Sequence, residues 1–239
     1  LWSLEDYAED KNDTLLRYAM SPARKASASD IASGFWSNDS LQQLSYDRGH
    51  LLATILDMRI RERSGGNLSL DDVLRRQRER AKASKDLASS LFPQVMLELT
   101  GIDATADIER YMRNGEPLLL PDNAFGTCGR IASVRRHDFD RGYDATATRL
   151  AGDVLTGVKA DGPAYAAGLR NGMRLMRRES GKYGDSTIEV AYRVADGNGE
   201  RLVRFLPKGK KEFDVQQMVL NPLDAERTAG CIAALGGGK

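Results

Sequence analysis

Histidine and cysteine are scarce: each occurs twice in 239 residues. A zinc-peptidase helix of the His-Glu-x-x-His type needs two imidazoles four residues apart, because only that spacing aims both at one metal from one helical face. His50 is followed by Leu51-Leu52-Ala53-Thr54, and His137 by Asp138-Phe139-Asp140-Arg141. Neither opens such a motif, and no metal ligands are assigned in this chain. Cys128 and Cys231 are too far apart in sequence to form a zinc site with nearby ligands. There is no Gly-x-Ser-x-Gly elbow, no Gly-x-Gly-x-x-Gly turn and no Gly-Lys-Ser/Thr phosphate loop. The usual signatures of serine hydrolases, dinucleotide enzymes and P-loop proteins are therefore missing. No apolar run approaches the roughly 20 residues of a membrane-spanning helix. Neither charge sign dominates, with 35 basic against 34 acidic residues and a net charge of +1. Nothing global draws the chain to nucleic acid or to an acidic surface.

What is present suits a folded chain. Apolar residues make up 41%, enough for a buried core. At about 150 residues per domain, the length allows one or two domains. The opening Leu1-Trp2-Ser3 has neither Met nor a basic-then-apolar leader, so a processed protein or an excised fragment is expected. The two cysteines leave two readings open. They could close one disulfide loop, worth up to about 4–5 kcal/mol in the chain-entropy model, or they could be unconnected buried thiols. A bridge would imply an oxidising compartment.

The first half has helical signals. Ser3-Leu4-Glu5-Asp6 resembles a capping box, opening a helix that Pro22 ends near Met20. Ser29 and Asp30 open a short helix. A longer one, about Leu44 to Arg63, carries a stripe of Leu52, Ile55, Leu56 and Ile60 and stops at Gly65-Gly66. Ser69-Leu70-Asp71-Asp72 starts another. Pro93 is expected in the first turn of the next, and a last helix runs from Thr105 to Arg113. From Pro117-Leu118-Leu119-Leu120-Pro121 onward the pattern changes to strands and turns. Asp153–Val158 reads as a short buried strand. Ile188, Val190, Tyr192 and Val194 alternate with polar or small residues, and Asp196-Gly197-Asn198-Gly199 turns this strand into Leu202–Leu206. The expected class is α+β: an all-α domain over residues 1–117, a small β-rich domain over 118–220 and a tail over 221–239, its last four residues disordered. Arg75-Arg76-Gln77-Arg78-Glu79-Arg80-Ala81-Lys82 spreads charge around a helix without interleaved aromatics. It reads as a solvated face, and no nucleic acid is expected as a partner, even along the wider Arg75–Lys85 stretch.

Two segments carry a resemblance. Ser45-Tyr46-Asp47-Arg48-Gly49-His50-Leu51-Leu52 continues through Leu56-Asp57-Met58-Arg59-Ile60-Arg61 and Gly65-Gly66 to Ser69-Leu70-Asp71-Asp72-Val73. This run resembles the segment downstream of the zinc site in the glycyl aminopeptidase family of gluzincin metallopeptidases. Ser21-Pro22-Ala23-Arg24 and the stretch from Gly101-Ile102 to Gly115 also fit that family. The second segment, Gly157-Val158 followed by Gly162-Pro163-Ala164-Tyr165-Ala166-Ala167-Gly168-Leu169-Arg170-Asn171-Gly172-Met173, is similar to a bacterial PDZ domain. Met173 stands there in place of the usual Asp. Family members carry a PDZ domain after the helical one, so the order agrees.

The resemblance implies a C-terminal part of a zinc aminopeptidase. In the complete enzyme, zinc-activated water would cleave an N-terminal Gly or Ala from peptides. A tyrosine matching Tyr46 would hydrogen-bond the oxyanion of the tetrahedral intermediate. The zinc ligands and glutamate base would precede Leu1, so this chain alone is expected to be inactive and to hold no cofactor. Glu5 lies in a different helical context and is not assigned as a ligand. The PDZ-like part implies a groove for peptides or protein C-termini, with Gly142, Tyr143, Asp144 and Ala145 at the carboxylate-binding loop and Ala145–Leu150 as the pairing strand. Asp144 there would repel a carboxylate. Packing within the protein is the other use of such a fold, and a non-enzymatic peptide-binding module is the alternative for the whole chain. The expected location is periplasmic or secreted, with no membrane contact.

Overall fold

The computed structural model describes residues 3–83 and 88–235. In chain order its elements are α1 (Leu4–Met20), α2 (Ala28–Gly34), α3 (Asp39–Ser64), α4 (Leu70–Ala83), α5 (Ala88–Thr100), α6 (Thr105–Asp107), a π-helical stretch (Ile108–Arg113), β1 (Gly129–Phe139), α7 (Ala145–Leu150), α8 (Pro163–Ala166), β2 (Arg174–Ser180), β3 (Val190–Asp196), β4 (Gly199–Phe205), β5 (Lys208–Leu220) and α9 (Ala225–Leu235). This is an α+β mixture. It divides into two compact units: Leu1–Val134 with Val215–Lys239, and Arg135–Asp214.

The first unit is mainly helical. Ser3 and Asp6 form the capping box anticipated at α1, each side chain bonding the other's backbone N–H at 3.1 and 2.9 Å. Ser27 and Asp30 make a second box, so α2 starts earlier than Ser29 suggests. Asn38 caps α3 by accepting from Ser40 and Leu41 N–H groups, which carries that helix back to Asp39 instead of Leu44. At its far end Gly65 adopts φ 61°, a left-handed stop suited to glycine. Pro93 lies inside α5, not in its first turn, because the helix already begins at Ala88.

The stripe of Leu44, Leu51, Ile55 and Ile60 on α3 packs with Leu15 and Tyr18 of α1, Val73 of α4, and Val95 and Met96 of α5. The segment after Pro117 joins this core. Leu118 and Leu120 are buried in it, with the Leu118 N–H donating to the Tyr18 hydroxyl at 2.8 Å. The Gln216 side chain bonds both the N–H and the C=O of Leu120, at 2.8 and 2.7 Å. Ile131 on β1 and Met218 on β5 complete the packing. β1 and β5 pair as a two-stranded ribbon, closed at its ends by Asp140 N–H to Pro207 C=O and Asn221 N–H to Cys128 C=O. Along these strands the chain leaves the first unit and returns to it. The 221–239 segment carries α9, while the last four residues, expected to be disordered, lie outside the described residues.

The second unit contains an antiparallel sheet in the order β2-β3-β4. Asp196 pairs with Gly199, so Gly197-Asn198 is the two-residue hairpin turn read from the sequence. Tyr143, Leu155, Leu169, Val194 and Phe205 share its core. Two strand expectations are corrected here. Asp153–Val158 forms only an isolated bridge, Val154 to Arg174. Ala145–Leu150 is a helix, not a pairing strand, because the Asp144 carboxylate accepts the Ala147 N–H at 2.9 Å and caps it.

Candidate functional site

Tyr46 sits early on α3 and is 63% exposed. Among the described residues nothing hydrogen-bonds its hydroxyl. Its ring lies 6.4 Å from that of Phe35, which meets Trp36 edge-on at 4.9 Å. Trp36 is 89% exposed, so three aromatic rings gather on an open part of the surface.

The residues that follow Tyr46 turn inward. Asp47 is buried and accepts hydrogen bonds from Arg17 at 2.9 Å and Gln43 at 3.1 Å. Arg48 is fully buried, and one of its terminal nitrogens donates to the Arg24 carbonyl at 2.9 Å. Among the described residues its Nε and other terminal nitrogen have no hydrogen-bond partner, nor does the Arg24 Nε. Burial lowers the Arg48 pKa from its ordinary value. These contacts fix the rotation of α3 about its axis. Asp47 and Arg48 face α1 and the chain after it, and Tyr46 is left on the outside.

One turn further, the two-histidine scarcity acquires a local use. The Lys11 ammonium of α1, 1% exposed, lies 2.7 Å from His50 Nε2 and 2.9 Å from Thr54 Oγ1. An ammonium can only donate, so the imidazole accepts at Nε2 and carries its proton on Nδ1. Burial, with the nearby Lys11 charge, pushes the His50 pKa down. Burial likewise brings Lys11 down to about 8. His50 is thus the neutral acceptor of a buried polar cluster. Neither His50 nor His137 has partners for a metal: among the described residues no three His, Cys, Asp or Glu side chains are grouped to hold one. The residues present do not fit the zinc that the resemblance implies.

The loop expected to take a carboxylate has two of its backbone donors engaged. Gly142 N–H donates to the Asp140 carboxylate at 2.7 Å, and Asp144 N–H to the Thr156 carbonyl at 3.0 Å. Tyr143 is buried. Tyr143 and Ala145 nevertheless line a groove of about 530 Å³ bounded by α7 and β2. The sequence led to a peptide groove at this loop with Ala145–Leu150 as its strand; it did not reveal β2 as a wall, because β2 lies some thirty residues further along the chain.

Cys128 and Cys231 are bridged, with their Cα atoms 5.6 Å apart. This resolves the open pairing in favour of the disulfide. Three arginines of the basic helix α4 are paired, Arg75 with Asp72 and Arg76 with Glu79 within the helix, and Arg80 with Glu98 of α5. Lys85 lies outside the described residues. No described helix is long and apolar enough to cross a membrane.

No protein-family model matches this sequence, and no curated protein matches it. Among solved structures, it is similar to an aminopeptidase N family protein from Idiomarina loihiensis at 16% identity and a TM-score of 0.49. The similarity covers 94% of this chain, which spans 44% of that protein's length.

Proposed function

We propose that this chain is the C-terminal portion of a glycyl-aminopeptidase-like metallopeptidase. The helical unit forms one wall of the cleft. Tyr46 donates its phenolic O–H to the oxygen that becomes negative when a peptide carbonyl is attacked. A donor placed where charge develops lowers the barrier, and losing one such donor typically slows turnover by about 10²–10³-fold. The observation that carries this reading is the presentation of Tyr46. In a run resembling the family segment, Asp47 and Arg48 are locked inward while the tyrosine stands 63% exposed, with no hydrogen bond to its hydroxyl among the described residues. The zinc implied by the resemblance would be held by residues outside this chain. The second unit is read as PDZ-like, a platform for peptides or for packing. The Cys128–Cys231 bridge supports a periplasmic or secreted location.

The test has two parts. The chain alone, incubated with zinc and Gly- or Ala-terminated peptides, should show no hydrolysis, and robust cleavage would refute the fragment reading. In the product of the complete gene, Tyr46→Phe should lower kcat by about 10²-fold or more with KM nearly unchanged. An unchanged kcat removes Tyr46 from the chemistry, and a gene that starts at Leu1 removes the metallopeptidase.

A further inference from the structure

β2 is an edge strand. It pairs with β3 on one side, and on the other it meets, among the described residues, only the single bridge from Val154 to Arg174. Edge strands expose unpaired backbone groups and can accept an added strand. The groove of about 530 Å³ runs beside this strand, between β2 and α7. Its lining is strongly one-signed: Arg141, Arg149, Arg177 and Arg178 face a single carboxylate, Asp153. The chain as a whole has almost no net charge, so this concentration is local. Arg149 on α7 and Arg178 on β2 are both exposed and flank the space from its two sides. Arg141 is packed on the rings of Tyr143 and Tyr183, at 5.1 and 6.0 Å from their centroids. Neither Arg141 nor Arg149 has a carboxylate partner among the described residues. Arg177 is held by Glu179, which also binds Arg193 of β3, each at 2.9 Å.

We infer that this groove binds an extended acidic peptide segment, laid along β2 with its carboxylates reaching Arg149, Arg178 and Arg141. Charge complementarity selects the occupant: a segment with several Glu or Asp side chains neutralises guanidinium groups that have no carboxylate partner among the described residues. The backbone of an extended segment meets the edge of β2, and the tyrosine rings supply an apolar floor. Internal acidic side chains, not a terminal carboxylate, are recognised, because the lining is rich in guanidinium groups and two of the four loop N–H groups, those of Gly142 and Asp144, are already bonded to Asp140 and Thr156. This inference does not depend on the metallopeptidase reading and stands or falls separately.

The test uses the full chain and a fluorescein-labelled hexaglutamate peptide, with hexaglutamine and hexalysine as controls, read by anisotropy at low salt. Saturable binding of hexaglutamate alone is expected. Arg149→Gln combined with Arg178→Gln should weaken it at least about tenfold, which corresponds to about 1.4 kcal/mol. Both positions are exposed, so an unchanged melting temperature will show that the fold survives. Amidating the peptide's C-terminus should leave binding unchanged, and N-methylating alternate peptide nitrogens should weaken it. The proposal is overturned if hexaglutamate does not bind, if the double variant binds it equally well, or if C-terminal amidation abolishes binding. Absence of binding would leave the arginines as guards that keep β2 from pairing with other strands.

Discussion

At the scale of single residues, the least familiar feature is a buried ammonium with a neutral imidazole as its partner. Lys11 and His50 are 39 positions apart, and each reads as an ordinary polar residue until α1 and α3 are brought together. The cluster was therefore not legible in the sequence, and Tyr46 was singled out by the resemblance, not by its place on the helix. The lysine has a measurable consequence. Its pKa falls from 10.5 to about 8 because burial penalises the charged form. An unfolded lysine keeps its proton to the higher value, so between the two the unfolded chain binds more protons. Stability must then rise with pH from about 8 to about 10, by up to roughly 3 kcal/mol. Tyr7, whose ring lies 5.4 Å from the Lys11 ammonium, is pushed up to about 12 by burial and opposes the trend where unfolded tyrosine ionises, above about pH 10. Urea midpoints followed across the lower part of that window should climb in the parent chain. In Lys11→Met they should stay level. A level profile in the parent would show that the ammonium is not desolvated.

At the scale of elements, helices were more legible than strands. The Ser3–Asp6 box bonds side chain to backbone within four residues, so local sequence suffices for it; the Ser27–Asp30 box is as local, but the neighbouring Ser29 competes for the same cap and drew the start two residues late. β1 and β5 carry mixed polar and charged residues and pair across a long loop, which no local pattern reveals. Ala145–Leu150 shows two local signals in conflict. Thr146 and Thr148 favour a strand, but Asp144 caps a helix there, and the cap wins. The turn before it is set by Gly142, at φ 79°, where an added Cβ would lie 2.8 Å from the Pro163 ring. Two variants separate these contributions. Asp144→Ala loses one cap and should reduce stability by about 1 kcal/mol. Gly142→Ala meets both an unfavourable backbone region and a steric contact, and should lose distinctly more, on the order of 2–3 kcal/mol. Equal losses in denaturant unfolding would mean that the turn can shift away from Pro163 without strain.

At the scale of the molecule, the chain's path makes the disulfide consequential. The first unit is discontinuous: its helices come from the start of the chain, and its remaining strand segment and α9 arrive only after the whole second unit has been traversed. Cys128 lies just before β1 leaves, and Cys231 lies on α9 after β5 returns, so the bridge joins the two ends of that excursion. Both sulfurs are buried beside Leu4, with Leu220, Leu223 and Ile232 around them. The change of pattern near Pro117 marks the last helix of the first half, but Leu118, Leu120 and Ile131 still pack into the helical core. A composition shift therefore need not coincide with the point where packing divides. Closing a loop of 103 residues restricts the unfolded chain, and removal of such a bridge typically lowers stability by about 2–5 kcal/mol. Replacing both cysteines with serine, or adding dithiothreitol, should lower the urea midpoint followed by helical circular dichroism, a signal that comes mainly from the first unit. The serine variant should then show no further response to reductant. If reduction leaves the midpoint where it was, the returning segment is held by its other contacts, the Met218 and Leu4 packing, the pairing with β1 and the hydrogen bonds of Gln216 and Asn12, and the bridge adds nothing to the fold.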